Sequence, residues 1–447
     1  MQPAHVRPDS AIPASWPTGD AYLRQTEAAL PAVSYRDIFR DPRLQALIEQ
    51  ALVNNRDLAV AAANIAAARE QVRIQRAQQF PQVDAGASVT GSDTGSDTSA
   101  RYQAGFSIPS FEVDLFGRLR SLTDVQRNRY LGTEAAARAT RLALVSDIAD
   151  AWLTYAADSS LLRIAEDTVT SAEKSVKLTR ARLDEGIAPR TDLRQAEQVM
   201  DNAKADAADQ RTALAQDVNL LRLLVGAEVD AKLLPASIDQ AAPTVAELPA
   251  GLDSQVLLRR PDVVEAEYQL RAANAQIGAA RAALFPRISL TGLVGLASSA
   301  LTSLFSGGAF AWSAGADASY TIFQAGAGRA NVRLTEAQKA AAVATYQRTI
   351  QQAFREVADA LARRGTIGEQ VRARQAQREA AADTYLLTEA RYRNGIDSFL
   401  GSLDAQRSYY SAQRTLVVSR LEAASNLVDL YRSLGGDSLL TTPKPAG

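Results

Sequence analysis

The chain has no cysteine and one histidine, His5, among 447 residues. Without thiols there are no disulfides, no thiolate metal sites and no thiol nucleophile. A Ser/His/Asp triad or a His-based zinc site would need His5, which lies in a Pro-rich N-terminal stretch and reads as solvated linker. No Walker A motif is present. Gly326-Ala-Gly328-Arg-Ala-Asn331 lacks the third glycine of a dinucleotide fingerprint and follows an alternating segment, so it reads as a tight strand-to-helix return. An enzyme is therefore the least supported class, and no catalytic residue, metal or cofactor is assigned. No segment carries the ~18–20 continuous apolar residues of a transmembrane helix. The Met1 end lacks the basic and apolar regions of a signal peptide, so either the protein is not exported or its export signal is not in this sequence. Lys+Arg 49 against Asp+Glu 50 leaves a net charge of −1, with no overall attraction for nucleic acid or an anionic membrane surface.

What is present is a duplication. Asp57/Asp262, Ala61/Ala266, Ala68/Ala273, Gln71/Gln276, Phe80/Phe285 and Pro81/Pro286 share one offset. Downstream, Asp147-Ile-Ala-Asp-Ala-Trp152 matches Glu356-Val-Ala-Asp-Ala-Leu361, Ala181-Arg182…Gly186-Ile187 matches Ala390-Arg391…Gly395-Ile396, and Gly226 matches Gly435, all at a second constant offset. Each copy predicts a helix of about thirty residues ending at Phe-Pro, because proline disfavours helix at the residue before it. Two alternating segments follow, then a very long helix, a Gly turn and another helix.

Three of the four short segments alternate cleanly. Val83, Ala85, Ala87 and Val89 interleave with Asp84, Gly86, Ser88 and Thr90. Tyr102, Ala104, Phe106 and Ile108 interleave with Gln103, Gly105 and Ser107. Trp312 to Ile322 alternates in the same way, whereas Ile288 to Gly295 alternates less well. Period 2 puts each set on its own face of a strand. Gly91 to Ser99 and Ala297 to Ala311 suit exposed loops. From Arg118 to Glu185 there is no proline and one glycine, Gly132. At ~1.5 Å per residue such a helix reaches on the order of 100 Å. Arg329 to Asn394 is comparable, weakened at Gly365 and Gly368. Helices this long need a coiled-coil or helical-barrel setting.

Two-faced strands form either a soluble sandwich or an outer-membrane barrel, whose apolar face meets lipid and whose polar face meets a wet lumen. Tyr102, Trp312 and Tyr320 near the strand ends, with Ser, Thr, Gly, Gln and Asp opposite, favour the barrel. Ala, frequent on the apolar face, is a weak lipid-facing residue. Four strands cannot enclose a lumen, and an open sheet in lipid leaves backbone groups unpaired. A membrane barrel built from this chain must be shared between copies.

Leu248-Pro-Ala-Gly-Leu-Asp-Ser-Gln-Val-Leu-Leu-Arg-Arg-Pro-Asp262, with Val263-Val-Glu-Ala-Glu267, resembles a signature of the TolC/OprM-like outer-membrane efflux channels, in their OprM-type lipoprotein branch. Phe285-Pro286, Gly395-Ile396, Leu403-Asp-Ala-Gln-Arg407, Val6-Arg7-Pro8 and Pro13-Ala-Ser-Trp16 carry the resemblance over almost the whole chain. It implies an α+β membrane protein. The family form is a homotrimer with a twelve-stranded barrel, four strands from each protomer, a long helical periplasmic barrel and a mixed equatorial belt. Its implied function is passive conduction of drugs or other small molecules across the periplasm and outer membrane of a Gram-negative cell. Implied partners are a periplasmic adaptor and an inner-membrane RND transporter. The lipidated cysteine of OprM-like members is absent, so a lipid anchor is expected only for a form with another N-terminus.

The expected layout is an N-terminal extended or equatorial segment (1–50), helical barrel (51–80), first hairpin (81–116), helical barrel (117–226), equatorial connector (227–261), helical barrel (262–285), second hairpin (286–325), helical barrel (326–434) and tail (435–447). Val83, Tyr102, Phe106, Trp312 and Tyr320 are the expected lipid-facing residues. The resemblance places adaptor docking at the turns Gly186-Ile187-Ala188 and Gly395-Ile396-Asp397, which ordinary C′ glycines explain equally well. It makes Leu400 and Asp404 a gate at the periplasmic mouth, an apolar constriction and an acidic ring that attracts cations. A carboxylate favoured in a first helical turn is the plainer reading of Asp404. Gly401 stands where TolC has a second aspartate, so no second ring is expected. Tyr392 matches a position that in TolC ties helix pairs together, implying a hydrogen bond to Asp192 or Thr191. A packing tyrosine and a solvated acid are the alternative. A type I secretion outlet shares this architecture, and a soluble coiled-coil structural or adaptor protein would leave the strands without a membrane.

Overall fold

A computed structural model describes residues 2–4, 8, 34–93, 95, 98–247 and 254–436. The readings placed on His5, on 13–16, on 248–253 and on the tail beyond Gly436 lie outside the described residues. The chain forms two compact units. One comprises Met1–Ser10, Ala62–Ala136 and Asp262–Thr349, the other Ala11–Ala61, Ala137–Pro261 and Ile350–Gly447.

The first unit holds four strands: β1 Asp84–Asp93, β2 Thr98–Glu112, β3 Arg287–Ser298 and β4 Phe310–Ser319. They form one antiparallel sheet in sequence order, with β2 paired to β3 across the duplication. The first hairpin runs further than its composition suggests. Asp93 pairs with Thr98, so Gly91–Asp93 and Thr98–Ser99 are strand rather than loop. The register also explains the poor alternation of β3. Leu290, Val294 and Leu296 lie on the face of Phe111, Phe106 and Ala104, while Leu293 lies opposite Ser107 and Ser313 on the polar face. A β-bulge between Ile108 and Phe111, at Pro109-Ser110, keeps both flanking residues on the apolar face.

No described residue covers that apolar face. Val89 is 66% exposed, Phe106 59% and Trp312 70%. A sandwich would have buried them under a second layer. On the polar face, Gly86, Gly105, Gly295 and Ala311 form a continuous row across all four strands. A β-carbon at Gly105 would lie 2.7 Å from the Cα of Gly295, and one at Gly295 2.6 Å from the Cα of Gly105. Side chains crowd where a sheet is concave, so this row marks the polar face as the inside of the bend. No described residue pairs with the outer edges of β1 or β4. The sheet is thus a curved segment with two open edges, polar inside and apolar outside.

Helices flank the strands. The expected thirty-residue helix is instead two: α2 Pro42–Asn54 and α3 Arg56–Ala77, preceded by the single turn α1 Tyr35–Ile38. Residues 42–50 are therefore helical, not extended. Asn55 breaks the run because its side chain accepts from the backbone N–H groups of Asp57 (2.9 Å) and Leu58 (3.1 Å), capping α3. After β2 comes α4 Arg118–Asp184, then α5 Arg190–Val225. The connector carries the single turn α6 Ile238–Ala241, and α7 Pro261–Ala282 leads to β3. After β4 come α8 Ala327–Arg393 and α9 Phe399–Ser433. Both α4 and α8 are 67 residues long, and α8 passes through Gly365 and Gly368 without a break.

Within the second unit the duplication reappears as two matching joints. In the first, Asn55 Nδ2 donates to the carbonyl of Leu224 at 2.8 Å, setting the start of α3 against the end of α5. The second uses the repeat partner of that carbonyl: Arg260 Nη1 donates to Ser433 O at 2.7 Å. Arg260 Nη2 also pairs with Glu356 Oε2 of α8 at 2.8 Å. The Arg-Arg-Pro-Asp block thus works as a joint. Arg260, just before α7, binds α9 and α8, Pro261 opens α7 at its first position and Asp262 sits in its first turn. Arg260→Ala is expected to cost ~2 kcal/mol, the loss of charge-assisted bonds from a buried side chain. Arg260→Asn, copying the first joint, should recover about half of that. Denaturant unfolding of the purified assembly checks both.

Candidate functional site

The two Gly turns are built alike. In the first, the N–H of Gly186 bonds Leu183 O and that of Ile187 bonds Arg182 O. In the second, Gly395 bonds Tyr392 O and Ile396 bonds Arg391 O. These are Schellman closures, and both glycines have positive φ, +74° and +76°. Each turn leaves an isoleucine on the surface, Ile187 at 68% and Ile396 at 63% exposure.

The arginines that match in the repeat diverge in use. Arg391 forms a two-point pair with Asp397 of its own turn, Nε–Oδ2 2.6 Å and Nη2–Oδ1 3.1 Å. That hydrogen bond and charge hold the Asp397 carboxyl below the usual carboxylate range. Arg182, whose turn has Ala188 instead, reaches across to α8. Its Nη2 donates to the carbonyls of Tyr392 (3.3 Å) and Arg393 (3.1 Å), a cation on the C-terminal end of a helix. Its guanidinium stands 4.6 Å from the Tyr392 ring centre.

Tyr392 does not make the expected hydrogen bond to Asp192 or Thr191. Its ring faces inward, 5.3 Å from the Phe399 ring, among Ala172, Val176, Leu193, Ala196, Val199 and Leu403. Its hydroxyl is buried without a hydrogen-bond partner. Cation–π contact and apolar packing hold the residue, while Asp192 stays in the first turn of α5. Arg182, not Tyr392, supplies the polar tie between the two turns.

Leu400 and Asp404 lie one turn apart on the exposed side of α9, with Ser402 and Leu403 facing inward. Because α9 starts at Phe399, Asp404 is in its second turn, beyond the first-turn dipole effect. Arg407 Nη1 stands 4.0 Å from its Oδ1.

Further along the same helices lies a set of ties the sequence did not disclose. Ser171 of α4 bonds the Tyr385 hydroxyl of α8 at 2.9 Å. Tyr385 stacks on Tyr409 of α9, centroids 6.0 Å apart. The neighbouring Tyr410 donates to Asp206 Oδ2 of α5 at 2.6 Å, and Arg414 joins it at 3.1 Å. Lys204 and Glu173, 3.6 Å apart, and Arg211 and Glu166, 2.7 Å apart, connect α5 back to α4. All four helices are bound into one collar. A signal was present in the tyrosine pair of Arg407-Ser-Tyr-Tyr410, which occupies two adjacent faces of α9.

The comparisons with known proteins fit this geometry. Residues 47–227 and 252–436 match the family described as outer membrane efflux protein. The chain belongs to that family. It is 44% identical over 97% of its length, and 92% of the relative's, to the probable efflux pump outer membrane protein TtgC of Pseudomonas putida. A crystal structure of a membrane protein from Pseudomonas aeruginosa superposes with a TM-score of 0.91 at 37% identity, covering 97% of this chain and 100% of that one. The open-state MtrE outer membrane channel of Neisseria gonorrhoeae gives 0.86 at 33% identity, covering 98% of each. The fold is thus the TolC-like one that the resemblance implied. The protein is the outer-membrane channel of a tripartite efflux pump, located in the outer membrane and reaching into the periplasm. Its relatives are named as outer membrane proteins of efflux pumps for antibiotics, toluene and solvents.

Proposed function

We propose that three copies close one barrel by pairing the free edge of β4 with that of the next copy's β1, and that small organic molecules leave through it. The uncovered apolar face carries this reading. Val83, Tyr102, Phe106, Trp312 and Tyr320 are its lipid contacts, with Trp312 and Tyr320 as interfacial anchors. The relatives' names speak of antibiotics, toluene and solvents, which supports small, weakly polar cargo here. The turns Gly186-Ile187-Ala188 and Gly395-Ile396-Asp397 dock the periplasmic adaptor, which hands on cargo from an RND-class inner-membrane transporter. Leu400 and Asp404 gate the mouth: both leave the helix on its exposed side, where threefold copies can meet at an axis.

Arg182 is the gate-stabilising contact that joins the turns, packed on the ring of Tyr392. Planar-bilayer recordings test the gate. Leu400→Ala with Asp404→Ala should raise resting conductance severalfold while the trimer stays intact. Unchanged conductance would remove both residues from the gate.

A further inference from the structure

Given the three-copy barrel proposed above, on which this rests, we infer that Leu293 is the lumenal contact that favours apolar cargo over hydrated ions. The register puts Leu293 on the polar face, directly between Ser107 of β2 and Ser313 of β4. Thr291 and Gly295 flank it along β3, and Gly105 and Gly315 lie diagonally across the neighbouring strands. It is only partly buried. All six neighbours are small, so the leucine stands above its surroundings as a knob.

The rest of that face sets the position apart. Outside the bulge, its strand residues are small or polar, and its charges, Asp84, Arg101, Glu112, Arg287 and Asp317, lie at or near strand ends. Leu293 is the one large apolar side chain among them, and it sits in the middle of β3. Asp84 opposes Ser107 and so shares the leucine's row, which leaves that row open to cations as well.

A lone exposed leucine is ordinary on an outer surface. Inside a passage it meets whatever passes. Threefold symmetry sets three such knobs at one height. They narrow the lumen without closing it, because twelve strands enclose a wide one. A solute with an apolar part removes surface from water against them, and a fully hydrated ion does not. Lumen-facing positions of such barrels tune selectivity in this way.

The test uses the intact trimer in planar bilayers, and the absence of native cysteine makes thiol labelling specific. Leu293→Cys, treated with a membrane-impermeant cationic methanethiosulfonate, should lose conductance in steps and regain it with dithiothreitol. Leu290→Cys, on the same strand but on the apolar face, should stay unmodified. The permeability of tetraphenylphosphonium relative to potassium should fall about threefold in Leu293→Ser, close to the worth of one buried methylene, and be kept in Leu293→Met. An unmodified Leu293→Cys in a conducting channel, or an unchanged permeability ratio in Leu293→Ser, would overturn the inference and leave the barrel standing. Equal modification of Leu290→Cys and Leu293→Cys would overturn the barrel reading and the role of Leu293 with it.

Discussion

Valine at Gly105 or Gly295 is expected to abolish the assembled channel. The two glycines face each other across β2 and β3 on the concave side of the sheet. A β-carbon at either would fall 2.6–2.7 Å from the other's Cα, and against the carbonyl of Val294 or Ala104. The obstacle is backbone, which cannot rotate aside as a side chain can. Even alanine should cost about 3 kcal/mol or more, the upper end of overpacking, since relief requires the strands to part or the bend to flatten. A flattened sheet no longer closes with its neighbours, and the loss extends to every copy in the barrel. Gly86 supplies the internal control. It lies in the same row, opposite Gly105, yet a β-carbon there meets nothing within 4 Å. Gly86→Ala should therefore assemble normally. Quantifying trimer in outer-membrane fractions separates the two outcomes, and equal yields from Gly86→Ala and Gly105→Ala would refute the close-approach argument.

The same row shows what the sequence made legible. Alternation in 83–90, 102–108 and 312–322 identified strands with two faces, because a period of two needs only local information, but it overran their ends: β1 begins at Asp84 and β4 stops at Ser319, leaving Val83, Tyr320 and Ile322 outside the strands. The constant offsets likewise exposed two copies, and with them the twin turns at Gly186 and Gly395. What stayed hidden depends on register and on partners far away in the chain. Leu293 broke the pattern of β3 because pairing with Ser107 and Ser313 places it on the polar face, and no local rule signals that. Asn55 split a predicted thirty-residue helix because it serves both as a cap and as a joint to Leu224. Tyr392 was assigned a hydrogen bond by likeness, but Arg182 and Phe399 decide where its ring lies. The offsets pair Arg182 with Arg391, yet they do not show that one arginine reaches across while the other turns back to Asp397. The collar of Ser171, Tyr385, Tyr409, Tyr410 and Asp206 joins four helices, so no single segment carries its pattern.

Buried charge sets the second large effect. Asp150 of α4 is pushed from its ordinary 3.8 up to about 7, chiefly by burial and further by the carboxylates of Asp429 and Asp147. A hydrogen bond from Ser425 and the Arg432 guanidinium only partly oppose this, and Oδ1 is buried with no partner. The folded state therefore favours the protonated acid. Its contribution to stability is complete below about pH 4 and is lost as pH rises through about 7. A rise from 3.8 to about 7 corresponds to ~4 kcal/mol across that window. Asp150→Asn keeps the shape of the neutral acid and cannot ionise. The variant should match the native protein at pH 4 and exceed its stability by up to ~4 kcal/mol at pH 8. Asp397 provides the opposite sign. Its carboxyl is held low by Arg391, so that pair is intact at neutral pH and is lost only as pH falls below the usual carboxylate range. Thermal unfolding of the native protein, Asp150→Asn and Asp397→Asn between pH 3 and 8 distinguishes the two. A native curve that stays flat from pH 4 to 8 would mean that Asp150 is solvated in the assembled channel, and that α4 meets α9 there through water.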